Sequence, residues 1–244
     1  MAAAAAVTAA TTKRTTKYPA LPRSVLIVGA TGGLGSRVSQ SALKAGHRVS
    51  VLVRSQDKLD RVFGHENVAA LSKTTIGSVT DASTVANACT GVDTVIECLG
   101  NQDREAGIDV LIRTIGSFPA ESQPAFIALG GSPALLLSED GTPATAHERI
   151  APMAGLAKMH LQTLSKLKES PIIHWAQICP ARMTPSVNGK PSGEFMARPN
   201  IIDMRVYETG TPLFYEDVAA TIVEIADVAT SGYSSQQVAF ALRS

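Results

Sequence analysis

The stretch Gly29-Ala-Thr-Gly-Gly-Leu-Gly35 constrains this chain more than any other. It follows the apolar run Ser24-Val-Leu-Ile-Val28, which reads as a buried parallel strand. It opens residues 33–45, where Leu34, Val38, Ala42 and Leu43 recur at helical spacing until Gly46 stops the pattern. Arg48-Val-Ser-Val-Leu-Val53 reads as a second strand, completing a βαβ unit. Glycines at GxxGxxG spacing let the backbone turn tightly and approach a pyrophosphate, and the helix start offers unpaired N–H groups to that anion. The pattern predicts dinucleotide binding. The alternative is a tight turn with no ligand.

The alternation continues along the chain. Thr75-Ile76 reads as part of a weak third strand, 81–88 as a helix capped by Asp81, and 94–98 as a fourth strand. A helix over 104–118, a strand over 125–129, a long helix over 147–169 and a strand over 172–178 follow. Residues 215–229 read as a last helix and 236–242 as a last strand. Repeated βα units with near-continuous apolar strands predict an α/β fold, a doubly wound, mostly parallel sheet of the Rossmann-like kind in a single domain over 23–244. Residues 180–213, rich in Pro, Gly, Met and Arg, read as an irregular insert with short strands, and 183–213 as a substrate lid. There Met183, Phe195, Met196 and Met204 line an apolar pocket or serve as ordinary core.

Charge is unevenly placed. Residues 1–56 carry eight Lys/Arg and no acid, a net of +8, while the remainder carries −7. Residues 1–22, low in complexity and rich in Ala and Thr, read as a disordered or targeting tail. The overall net charge of +1 gives no global case for nucleic acid, and no apolar run is long enough for a membrane span. Cys89, Cys98 and Cys179 form neither a CxxC nor a metal-ligand pattern, so no metal site is expected. They read as buried thiols in a reducing compartment: the cytoplasm, or an organelle if the tail is a transit peptide. A monomer or homodimer acting on a small molecule is expected.

An NAD-selective site places a carboxylate near the end of the second strand. Here stands Arg54, and the first acid is Asp57. A guanidinium grips a 2′-phosphate bidentately, so NADP(H) is expected over NAD(H), with Arg37 as a second cation.

These motifs resemble the atypical, extended-motif short-chain dehydrogenases/reductases. More narrowly they resemble the NmrA-like and biliverdin-reductase-B-like NAD(P)-binding proteins, including those classed as NADH-flavin reductases. The matching stretches are Ile27–Gly35, Val51–Arg54, Leu129-Gly-Gly-Ser-Pro133, Cys179-Pro-Ala181 and Pro212–Ala219. The resemblance spans about residues 24–242. It implies that Gly29, Thr31, Gly32, Gly33, Leu34 and Gly35 form the phosphate loop and that Arg54 holds the 2′-phosphate. Ser78 and Val79 would border the adenine, although the family often carries Asp where Ser78 stands. Cys98, Leu99 and Gly100 would border the ribose, Gly131 and Ser132 would lie beside the nicotinamide, and Pro180 and Ala181 would back its ring.

Ordinary short-chain dehydrogenases pair Tyr with Lys in Tyr-x-x-x-Lys, so that the phenol protonates a carbonyl oxygen as hydride arrives. This chain has no such pair, and Ala154 stands four residues before Lys158. The expected function is an NADPH-dependent oxidoreductase passing hydride to a conjugated small molecule: a flavin, quinone or aromatic ketone. Ser132, Lys158 and His160 are the candidate catalytic groups, with Tyr207 and Tyr215 near the insert. The alternatives are an NADP(H)-binding redox sensor without turnover and a non-redox tailoring enzyme, an isomerase or cyclase.

Overall fold

The computed structural model describes residues 22–100 and 104–243. All but the last residue of the expected tail, 1–22, lies outside them. Strands β1 (Ser24–Val28), β2 (Arg48–Val53), β3 (Lys73–Ile76), β4 (Thr94–Glu97), β5 (Ala125–Leu129) and β6 (Trp175–Cys179) alternate with helices. These helices are α1 (Gly33–Lys44), α2 (Gln56–Ala69), α3 (Ala82–Cys89), α4 (Arg104–Gly116) and α5 (Ala154–Glu169). The insert carries β7 (Met183–Thr184), β8 (Phe195–Pro199), α6 (Arg205–Glu208) and β9 (Leu213–Phe214); α7 (Tyr215–Glu224) and β10 (Gln236–Leu242) follow.

The main sheet has the order β3-β2-β1-β4-β5-β6-β10-β8 and is parallel except for β8, which runs antiparallel to β10. Strand order reverses between β1 and β4, which places the ligand crevice outside the carboxyl ends there. The period-2 alternation of side chains sorts the core into two layers. Val25 and Ile27 of β1 face Leu34 and Val38 of α1, with Leu59, Val218 and Ile222 on the same side. Leu26 and Val28 face the other layer, with Val85, Ile108, Leu111 and Leu167.

Three expectations change. The helix expected over 147–169 begins only at Ala154, after short 3-10 turns at 144–146 and 151–153. Pro152 sits in the second of these turns, where its missing N–H does no harm; inside a helix it would break the ladder. The sixth strand is Trp175–Cys179, not 172–178, because Ser170 and Pro171 end α5 and Ile173 stays exposed before the sheet is joined. The final helix ends at Glu224 rather than 229. Helix α2 has no counterpart in the sequence reading. Only Leu59 and Phe63 are buried along it, too few to make a visible apolar stripe, and Gly64 at φ 72 interrupts it.

The insert carries the short strands expected of it. β8 joins the main sheet, and β7 pairs with β9. Phe195 is buried in the main core with Met183 packed against it, whereas Met204 packs on a separate cluster around Leu135 and Ile150. These side chains therefore serve as core and do not share one pocket.

Candidate functional site: a groove across the carboxyl ends of the central strands

The first turn of α1 is built around close backbone approach. Gly29 has φ +85, and a Cβ there would stand 2.5 Å from the Cys98 carbonyl oxygen. A Cβ on Gly35 would stand 2.3 Å from the Gly29 carbonyl oxygen, so α1 touches the preceding turn with no room for a side chain. The first N–H to close on the loop is that of Ser36, which donates to Gly32 O at 3.0 Å. The helix therefore starts with orphan donors over 33–35. Its N-cap, Gly32, supplies no side-chain acceptor, and its first turn has no acid. Donors without acceptors at a dipole's positive end suit a pyrophosphate.

Beside this turn lies a cavity of about 260 Å³. Gly29, Thr31, Gly32, Arg54, Ser78, Val79, Cys98, Leu99 and Gly100 line it, with Lys58. Nine of the residues singled out in the sequence thus meet in one groove over the ends of β1 to β4. Arg54 and Lys58 are both exposed, and among the described residues no carboxylate lines the cavity. Lys58 was missed because α2 was missed: its backbone N–H donates to Ser55 Oγ at the helix N-cap, which starts the helix at the end of β2. Ser78 Oγ is engaged with Thr80 Oγ1 at 2.8 Å and with the Thr80 N–H, so its hydroxyl holds a turn. The Cys98 thiol is pushed well up by burial, then by Glu97, and stays protonated. Arg37 does not join Arg54. It turns to the other side of α1, where Nε donates to Glu216 Oε1 at 2.5 Å and the guanidinium lies 5.4 Å from the Tyr215 ring. Tyr215 stands over Gly33, 3.6 Å from where its Cβ would be.

Further along the same edge of the sheet lie the carboxyl ends of β5 and β6. Ser132 follows Gly131, with its N–H donating to Pro180 O at 2.9 Å, and only 3% of it is exposed. Its hydroxyl is hydrogen-bonded to that of Tyr207, on α6 of the insert. Burial raises the Tyr207 pKa, and the Ser132 hydrogen bond opposes that rise. His160 of α5 is buried beneath the same loop, its ring 2.9 Å from where a Gly131 Cβ would stand. Burial and the charge of Arg104 lower its pKa to about 4, so the ring is neutral at neutral pH. Its Nδ1 has no partner among the described residues. Lys158 lies elsewhere: it is exposed in a shallow cleft with Thr145, Ala157 and Leu161 on the outer side of α5. Ser132 and His160 are therefore brought together at the carboxyl ends of the strands and Lys158 is not.

Two buried charges escaped the sequence reading. Glu97, at the end of β4, is 1% exposed, and Arg104, at the start of α4, is 4% exposed. They form an ion pair at 3.2 Å. A carboxylate closing an otherwise apolar central strand was the available signal. Among the described residues no group of three or more His, Cys, Asp or Glu could hold a metal, and no helix is long and apolar enough to cross a membrane.

Comparison with known proteins bears on the fold and the family. No curated protein sequence matches. Among solved structures, a candidate NADH-flavin reductase from Streptococcus pneumoniae superposes with a TM-score of 0.72 at 19% identity, covering 91% of this chain and 100% of its own. An anaerobilin reductase from Escherichia coli O157:H7 superposes at 0.63 with 20% identity, covering 89% and 95%. A short-chain dehydrogenase/reductase from Veillonella parvula in complex with NADP gives 0.65 with 12% identity, covering 90% and 94%. Identities this low speak to the fold alone. A family model described as NAD(P)H-binding matches residues 29–228, the span that carries the glycine turn, the groove and the insert. The chain belongs to the NAD(P)H-binding family.

Proposed function

We propose that the protein is an NADPH-dependent reductase of a flat, conjugated small molecule. The observation that carries the cofactor preference is the lining of the adenosine end of the groove, where Arg54 and Lys58 stand and, among the described residues, no carboxylate does. A 2′-phosphate meets two cations there, and no carboxylate among the described residues accepts from a ribose 2′-hydroxyl. The orphan N–H groups over 33–35 take the pyrophosphate. Cys98, Leu99 and Gly100 border the adjoining ribose. Gly131, Pro180 and Ala181 flank the nicotinamide, which when bound supplies the hydride.

The protein's own part is orientation and proton placement. Two bonded hydroxyls always leave one O–H to donate, whichever of Ser132 and Tyr207 gives its proton to the other. That donor orients an acceptor's oxygen or nitrogen without needing a strong acid. His160, neutral in its buried site, supports the loop and does not serve as the acid at neutral pH. A conjugated acceptor suits this arrangement, since it spreads the incoming charge and takes its proton from water. Two structural neighbours are named for reducing a flavin and an anaerobilin, which supports the same class.

A second reading is a redox sensor that binds NADP(H) without turnover. The mutual capping of the buried Ser132 hydroxyl by Tyr207 favours it. The deciding experiment follows NADPH oxidation by its absorbance, with FMN and a panel of quinones as acceptors, for the unaltered protein and Arg54→Ala. The reductase reading expects turnover, with kcat/KM for NADPH falling about 10- to 100-fold in the variant and that for NADH nearly unchanged, the loss of a charge-assisted bond or two. Saturable NADPH binding with no turnover by any acceptor would leave the sensor. An unchanged preference for NADPH would remove Arg54 from its role.

A further inference from the structure

Strands β4 and β5 pair in register from Thr94↔Ala125 to Ile96↔Ile127, and there the backbone ladder stops. One parallel step further would set Cys98 opposite Leu129. That step would use two backbone bonds, Leu129 N–H to the Glu97 carbonyl and Leu99 N–H to the Leu129 carbonyl. Neither is made. The Glu97 carboxylate takes both donors instead, Leu99 N–H on Oε1 at 2.8 Å and Leu129 N–H on Oε2 at 2.9 Å. The Leu129 carbonyl accepts from Arg104 Nη2, and the same nitrogen reaches Glu97 Oε2 at 3.2 Å. On its other side β5 stays laddered to β6 through Leu129↔Ile178, with Gly130 N–H donating to Ile178 O at 2.6 Å. A salt bridge has thus been inserted into the sheet. It takes two N–H groups and one carbonyl at the ends of these two strands.

The segments leaving those two ends are the ones that matter. Leu99 and Gly100, beyond β4, line the cofactor groove. Gly130, Gly131 and Ser132, beyond β5, carry the hydroxyl pair and rest on His160. A wedge of one carboxylate and one guanidinium between them sets the width of the opening and the position of both rims.

We infer that Glu97 and Arg104 are positioning residues: their buried ion pair splits β4 from β5 and sets the gap that receives the nicotinamide half of the cofactor. The inference rests on the proposed reading of which half of the groove takes which half of the cofactor. Neither side chain need touch the cofactor. Their effect passes through the backbone of Leu99 and Leu129. The pair fits a constraint that apolar residues cannot meet, since it supplies the partners of the Leu99 and Leu129 N–H groups and of the Leu129 carbonyl.

The test separates the two cofactor halves. Calorimetry gives dissociation constants for NADPH and for adenosine 2′,5′-bisphosphate, which carries only the adenosine end. Glu97→Gln puts an amide N–H against donors, and Arg104→Met removes the guanidinium at similar length. In both variants bisphosphate affinity is expected to stay within about twofold, while the advantage of NADPH over bisphosphate shrinks roughly tenfold or more. Arg104→Lys, which keeps the charge and one donor, recovers part of it. Should a single variant fail to fold, the paired replacement Glu97→Met with Arg104→Met removes both buried charges and is the one measured. Equal weakening of both ligands would make the pair a general scaffold element and overturn the inference. So would an unchanged NADPH advantage in a folded variant. Because the ratio is read without turnover, a protein that reduces no acceptor would sink the reductase reading and leave this test standing.

Discussion

His160 shows how far burial moves a side chain from its chemistry in water. Its pKa falls to about 4, while the unfolded chain protonates it near 6.5. Between those values the unfolded state binds a proton that the native state does not, so stability rises with pH across that window. Acidification through it costs up to about 3 kcal/mol from this group. His47, also lowered mainly by burial, acts in the same direction. We expect His160→Gln to reduce the difference in urea midpoint between about pH 4.5 and 7.5, as measured by denaturation at both. An unaltered difference would mean that the ring is protonated in the fold. Residue identity made Arg54 readable, because a cation where an acid is expected needs no structure to notice. Glu97 and Arg104 were not readable in the same way. Their meaning depends on a register between two strands, and a register appears only when the strands are paired.

At the scale of elements, the start of α7 is a junction. Asp217 Oδ1 accepts from the backbone and the hydroxyl of Ser192, at 2.7 and 2.9 Å, and Oδ2 takes the Phe214 N–H at 3.0 Å. Its neighbour Glu216 takes Ser186 N–H at 2.9 Å on one oxygen and Arg37 of α1 on the other. Two adjacent carboxylates therefore tie the insert to the helix that packs against the phosphate turn. Asp217→Ala leaves these donors unpaired at a site only 4% exposed. A loss of about 1–3 kcal/mol is expected, together with faster proteolysis around 187–193 than elsewhere, checked by denaturation and limited digestion. Strongly periodic elements such as α1, β1 and β2 were legible from spacing. α2 was not, since it rests on the Ser55 cap and two buried residues, and the start of α5 was overrun because Pro152 precedes it without a clear N-cap.

For the molecule as a whole, the doubly wound sheet was legible because six apolar runs alternate with helical patterns. The eighth strand was not, because β8 is short and half exposed, and only its pairing with β10 makes it a strand. β10 is central to the architecture. It lies between β6 and β8 and contributes Val238, Ala239, Phe240 and Ala241 to the interior. A chain ending at Ser235 would expose one face of the core and strand the insert. It is expected to lose cooperative unfolding and cofactor binding together, as followed by circular dichroism and calorimetry.

That placement has a consequence for the order of events during synthesis. The strands that frame the cavity beside the glycine turn, β1 to β4, leave the ribosome early and pair with one another. β8 emerges well before β10 and has no other neighbour in the main sheet. A nascent chain can thus hold a finished turn and groove while β8 still waits, unpaired, for a strand that has yet to be made.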